Sequence, residues 1–483
     1  MFKAHAQSDD PLRLTAAMTA AFVLLCLIRL TVPSITYFDE VHYVPAAKAL
    51  LEGGAYVNRE HPLLGKHFIA LGISIFGDNP FGWRVMPLIA GAIAFFAMLR
   101  TMWFSTLSRF AVGAFGFLLA TGFLLLIHAR LAMLDIFMMA AIAIAAWQFA
   151  AALREHETAR RRLLFTGIAL GAAMGAKWNS VPLAMLPGLT FLAVSVAERF
   201  MPPAGFFARF KNLFFASRAG PIPGISLVQA ALYLGVVPLA VYAVTFLPGL
   251  IFTDSPLAAN GLIGLHEEML ELQGQVLQPH PYQSVWWEWL LNLRGIWYLY
   301  EVTDGAQRGV LLIGNPVSML LGLPALIWCA VSGYEERDPA KIGIALGFTV
   351  SFGLWLIAGK SVQFYYHYLL PSTFLLAALA LAFEELRNST SDAVAPFCLI
   401  YVALAIHLFI SGFWTHFWLA LITPFAFAPI FLVKSTIARN RTVAYVLLAS
   451  IGAMFLYFYP ILTAGALTDS ESFQWYAWIE GWI

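Results

Sequence analysis

The chain has 483 residues, of which 60% are hydrophobic and only 11% charged, and its formal net charge is +1. Soluble globular domains carry about 25% charged residues, so an ordinary water-soluble enzyme is excluded and lipid must cover the apolar surplus. The balanced charge also excludes a polyanion binder, nucleic acid included.

The chain opens with a polar stretch, MFKAHAQSDDPLR, and then an apolar run near 14–33 that lacks a small-residue cleavage pattern. That run reads as a retained first span. Further apolar runs lie near 83–99, 110–127, 132–153, 163–176, 180–197, 226–252, 309–332, 342–358, 364–384, 394–413, 416–433 and 443–461. At roughly 20 apolar residues per crossing, they predict an all-α polytopic membrane protein with about 13 transmembrane helices. The 163–197 stretch is expected to break at Gly175-Ala-Lys-Trp178, and Trp414-Thr-His416 thinly divides 394–433. Cys26, Cys329 and Cys398 each fall inside an apolar run, which does not support a disulfide framework.

Two polar segments are long, 34–82 and 253–308. The first predicts two amphipathic helices on the membrane surface, at Val41–Leu51 and Leu63–Phe76. Lysine and arginine set the orientation. With the N-terminus inside, the short inner segments hold the larger basic set, including Arg160-Arg161-Arg162, Arg199, Arg209, Lys211, Arg218 and Lys434. Both long segments and the C-terminus then lie outside. The chain is expected to be a single membrane-embedded domain over 1–483, with 34–82 as first outer loop and 253–308 as second.

Ionisable residues at membrane depth are costly and usually functional, and here they gather at the outer ends of spans. Asp39 and Glu40 follow the first run directly; a solvated loop start is the plain reading, and acid–base chemistry the functional one. His61 and Lys66 lie in the same loop. Arg130 and Asp135 flank the fourth span, either as a local ion pair or as part of a site. Lys177 and Lys360 are either snorkelling lysines or phosphate contacts. Residues 280–300, HPYQSVWWEWLLNLRGIWYLY, are either an interfacial aromatic belt or a sugar site holding His280, Trp287, Glu288 and Arg294. His367 is a core histidine or a substrate contact. No GxxxxGK[ST], GxGxxG, HExxH or GxSxG pattern occurs. What remains, a carboxylate with cations at the outer surface, suits a transferase with a lipid-phosphate donor.

FDEVHY at 38–43, HPLLGK at 61–66, HARLAMLDIF at 128–137, GAKWNS at 175–180, the 280–301 segment, GNPV at 314–317 and FYYHYLLP at 364–371 together resemble the protein O-mannosyltransferase family. Seven motifs in the family's order span most of 34–371. The resemblance implies a GT-C glycosyltransferase fold and transfer of mannose from polyprenyl-phosphate mannose to Ser/Thr hydroxyls of proteins. A β-trefoil insertion found in eukaryotic members has no room in 253–308, which points to a bacterial-type member in the cytoplasmic membrane, its site facing outward. By resemblance, Asp39 is the catalytic base, Glu40 its neighbour, and Arg130 and Lys177 fall on the family's arginine and donor-phosphate lysine; the mechanism expected here has both hold the donor phosphate, with Arg294 as a further candidate. His61, Lys66, His280, Trp287, Glu288, Lys360 and His367 are substrate-binding candidates. No cofactor is expected; a divalent metal on Asp39 and Glu40 is the less favoured option. The expected partners are the lipid-linked donor, a secreted or membrane acceptor protein, and membrane lipid. The rival readings are a GT-C transferase moving another sugar to lipid A or a cell-wall glycan, and a lipid-sugar transporter.

Overall fold

The structure is a computed structural model that describes residues 10–199, 220–391, 433 and 435–483. Among the described residues, eight helices are long and apolar enough to cross a membrane: Pro80–Thr106, Leu134–Arg154, Trp178–Ala197, Leu227–Ile251, Pro316–Glu336, Pro339–Ile357, Tyr365–Asn388 and Thr436–Leu462. Leu12–Leu27, Leu64–Phe76 and Arg109–Thr121 are shorter apolar helices. The runs expected at 394–413 and 416–433, the polar split between them, and Arg209, Lys211, Arg218 and Lys434 lie outside the described residues, so a total of thirteen spans is not established.

Several starts follow one local rule. Asn79-Pro80, Ser255-Pro256, Asn315-Pro316 and Asp338-Pro339 each place a capping side chain before a proline at the first helical position. The capping oxygen takes the orphan amides of the first turn, and proline has no amide there to lose.

The chain forms two compact units, each described by itself. The first comprises Met1–Leu27, Asp39–Leu107 and His128–Gln275. In it the two helices expected in the first long polar segment form as Glu40–Glu52 and Leu64–Phe76. The expected break falls at Lys177, whose extended backbone (φ −161°, ψ 134°) separates the helix Ala159–Ala176 from a 3-10 turn, Trp178–Ser180. Gly167, Gly171 and Gly175 recur every fourth residue along Ala159–Ala176. A Cβ added at them would stand 2.0 Å from the Tyr233 carbonyl oxygen, 2.5 Å from that of Pro238 and 2.6 Å from Thr245 Oγ1. Only glycine lets this helix press onto the backbone of Leu227–Ile251, as small-residue stripes do between membrane helices.

The second unit comprises Ile28–Phe38, Ser108–Ile127 and Val276–Ile483. Here the all-α expectation needs an amendment. Ile296–Thr303 (β1) and Ala306–Leu312 (β2) form an antiparallel hairpin, and Ala466–Leu467 (β3) adds to β2. Thr303 pairs with Ala306 across Asp304 and Gly305, both at positive φ, the two-residue Asp-Gly turn whose twist matches a hairpin. The span expected from 309 therefore starts only at Pro316. Asn315 Nδ2 donates to the Thr121 and Ile451 carbonyls at 3.0 Å each, so the GNPV motif ties two helices to a third.

Candidate active site

Glu40, the second acid of the opening pair, is fully buried at 0% exposure and faces Arg84 at 1%. Arg84 Nε donates to Glu40 Oε1 at 2.9 Å and Nη2 to Oε2 at 2.8 Å. The Ala132 amide donates to Oε1 at 3.0 Å. One carboxylate thus joins the start of the Glu40–Glu52 helix, the start of Pro80–Thr106 and the turn before Leu134–Arg154. Arg84 was not among the site residues expected from sequence.

That turn carries the next candidates. Arg130 Nη1 donates to the Cys26 carbonyl. Asp135, at the head of Leu134–Arg154, receives Lys177 Nζ at 2.7 Å. The sequence placed Arg130 beside Asp135 as a candidate local pair; the structure gives Asp135 the lysine of the 175–180 motif instead. Asp135 and Lys177 are 1% and 7% exposed. Asp135 Oδ1 has no hydrogen-bond partner among the described residues. Asp39 is half-buried and stands at the N-cap of Glu40–Glu52, yet its side chain does not cap the helix. Peptide linkage to Glu40, then Ala132, Asp135 and Lys177, joins the first-loop acid to the cations.

His61 and Lys66 belong to the same unit. Lys66 Nζ donates to the Asn58 carbonyl and to that of His61 at 3.0 Å. Burial pushes the Lys66 ammonium down to about 7, against a smaller opposing pull from Glu60. Arg59 pins the loop to the second polar segment: it donates to the Tyr56 carbonyl at 2.7 Å and to Glu268 at 2.9 Å, and it pairs with Asp254. Gln273 Nε2 reaches the Glu60 carbonyl at 2.8 Å and His61 Nδ1 at 3.2 Å.

The other candidates lie in the second unit. Glu288 Oε2 accepts from the Val285 amide at 2.8 Å and caps the short helix Trp286–Leu290. Trp287 is exposed, whereas its neighbour Trp289 is fully buried. His280 Nδ1 accepts from the Tyr282 amide at 3.1 Å, and Arg294 Nη2 donates to the Pro281 carbonyl at 2.5 Å. His367 is buried with its ring stacked on Trp289 at 5.9 Å and edge-on to Trp355 at 3.7 Å. Lys360 is half-buried in the turn before it.

The helical membrane fold is of the polytopic GT-C glycosyltransferase type, shared with solved neighbours. The yeast (S. cerevisiae) protein O-mannosyltransferase Pmt1-Pmt2 complex bound to the sugar donor has the same fold. Its TM-score is 0.71 at 15% identity, covering 99% of this chain and 93% of that one. ArnT from Cupriavidus metallidurans bound to undecaprenyl phosphate matches at 0.56 and 12% identity, over 96% of this chain and 78% of that one. The family profile described as dolichyl-phosphate-mannose-protein mannosyltransferase matches residues 60–208, and that of the C-terminal four-span region of protein O-mannosyltransferase matches 259–482. A Corynebacterium glutamicum polyprenol-phosphate-mannose–protein mannosyltransferase is 29% identical over 435 residues, 76% of this chain and 82% of that protein. The chain belongs to the protein O-mannosyltransferase family.

Proposed function

We propose that this chain transfers mannose from a polyprenyl-phosphate mannose to Ser/Thr hydroxyls of proteins, with inversion, at the outer face of a bacterial cytoplasmic membrane. Family membership supports the chemistry, and the bacterial relative is named for this donor and this acceptor class. The outward orientation rests on the excess of lysine and arginine in the short inner segments. The observation that carries the reading is the Glu40 staple. It ties the residue next to Asp39 to the turn that bears Arg130, and Asp135, in the helix that follows, holds Lys177.

In this scheme the acceptor oxygen attacks the anomeric carbon from the face opposite the phosphate. Its proton passes to the Asp39 carboxylate. The bond from the anomeric carbon to the phosphate oxygen breaks, and the lipid monophosphate leaves with the electron pair. Lys177 and Arg130 meet the charge that grows on that phosphate. Glu40 is a positioning residue here, because both its oxygens are engaged. A divalent metal on Asp39 and Glu40 would have to break a buried ion pair, so we read the reaction as metal-free. Arg294 enters the scheme only if Arg294→Ala weakens donor binding.

The test uses purified full-length protein, labelled polyprenyl-phosphate mannose and a Ser/Thr peptide. Asp39→Asn loses about 10²–10⁴ in rate, the worth of a general base, while donor binding persists. From a β-linked donor the product of inversion is the α-mannoside, and a chelator leaves the rate unchanged. Turnover at the wild-type rate by Asp39→Asn removes Asp39 from the mechanism. Label passing to a lipid acceptor and never to the peptide replaces the acceptor class.

A further inference from the structure

Trp178 follows Lys177 directly and opens the 3-10 turn. Its indole Nε1–H donates to the Tyr242 hydroxyl oxygen at 2.8 Å. The same hydroxyl lies 2.5 Å from His266 Nε2, and His266 Nδ1 lies 2.7 Å from the Leu262 carbonyl oxygen. A carbonyl only accepts, so Nδ1 carries a proton, and in that Nδ1–H tautomer Nε2 accepts from Tyr242. The result is a directed chain from indole to phenol to imidazole, ending on backbone. His266 also stacks on Trp178 at 5.9 Å with 22° between the rings.

Three parts of the first unit meet in this chain. Tyr242 belongs to Leu227–Ile251, whose backbone the glycine stripe of Ala159–Ala176 contacts; Gly175 meets Thr245 one turn from Tyr242. His266 belongs to Pro256–Gln273, in the second polar segment, which breaks helical geometry at Gly261 (φ 68°, ψ −174°) just before Leu262. None of the three side chains was singled out by the sequence for chemistry. Yet they hold the residue next to the amine that pairs with Asp135.

We propose that Tyr242 and His266 are positioning residues for Lys177. By fixing the Trp178 indole they set the 177–180 turn, and so how tightly the chain grips a lipid-linked phosphate. The proposal rests on the reading of Lys177 as a donor-phosphate ligand. Because the phosphodiester already bears a charge that Lys177 grips before the bond breaks, losing the chain shows in donor affinity first and in turnover less.

The experiment measures binding of a polyprenyl monophosphate to purified full-length protein, together with kcat at saturating donor. Tyr242→Phe and His266→Phe each weaken binding about fivefold, the worth of one neutral hydrogen bond, and kcat stays within about twofold. His266→Gln recovers most of the loss, because an amide oxygen can accept from Tyr242 where phenylalanine cannot. The double variant binds no more weakly than Tyr242→Phe alone, since the two act in one chain. Lys177→Met is the reference. If it weakens binding while both phenylalanine variants bind as wild type, this proposal falls and the phosphate reading stands. If Lys177→Met itself binds as wild type, the phosphate reading falls and takes this proposal with it. A lowered melting temperature with unchanged affinity and no rescue by glutamine makes the chain a structural brace and overturns the proposal.

Discussion

The first unit buries two carboxylate–cation pairs and finishes them differently. Glu40 meets Arg84 through two parallel contacts and takes a backbone amide as well. Asp135 meets Lys177 through one oxygen, and its other oxygen has no hydrogen-bond partner among the described residues. A planar guanidinium that fills a carboxylate leaves little to offer a ligand. A lysine is a point charge on a flexible stem and can turn part of its field toward a phosphate. The closed pair therefore reads as scaffold and the half-open pair as site.

Breaking the closed pair has the largest expected effect. Arg84→Met leaves a buried carboxylate uncompensated, which costs about 3–5 kcal/mol. Thermal unfolding of the protein in detergent measures it. Glu40→Leu/Arg84→Met removes both charges and loses less than Arg84→Met alone. If the single variant melts with wild type, Glu40 is not the staple described and the contrast fails.

The half-open pair should respond in function first. Lys177→Met weakens binding of a polyprenyl monophosphate by roughly 10- to 100-fold, the worth of a charge-assisted hydrogen bond. Lys177→Met also strands the buried Asp135 carboxylate, so its melting temperature falls as well, and Lys177→Met/Asp135→Leu recovers the melting temperature but not the binding. The reverse pattern, intact binding with collapse of the fold, would make Asp135–Lys177 the scaffold.

Local signals carried the sequence reading a long way. The acid pair and the break at Lys177 are set by neighbours in the chain. The partners were not legible. Arg84 lies 44 residues from Glu40, and Tyr242 lies 64 from Trp178; only packing decides that they meet. Arg130 stood nearer in sequence to Asp135 than Lys177 does, so proximity favoured the wrong cation as its partner. The hairpin is a different case. Asp304-Gly305 between two apolar runs is a strong turn signal, but 296–303 lay in an aromatic stretch that an interfacial belt explained equally well. Conversely, burial of Trp289 and His367 in one aromatic stack could not be told from a sugar site by composition.

Lys66 is a further buried cation, held by the carbonyl oxygens of Asn58 and His61. Burial lowers it from 10.5 to about 7. Between those values the unfolded chain keeps a proton that the folded chain has shed. Stability therefore rises with pH across that window, by at most about 1.4 kcal/mol per pH unit. Below about pH 7 both states are protonated, and the folded state bears the full cost of a buried charge. Lys66→Met lacks this titration. Plotted from pH 6.5 to 9.5, the stability of the native sequence should climb relative to that of Lys66→Met. A difference that stays flat would mean that the Lys66 ammonium is solvated or charge-paired, and that carbonyl oxygens alone do not separate it from the lysine on Asp135.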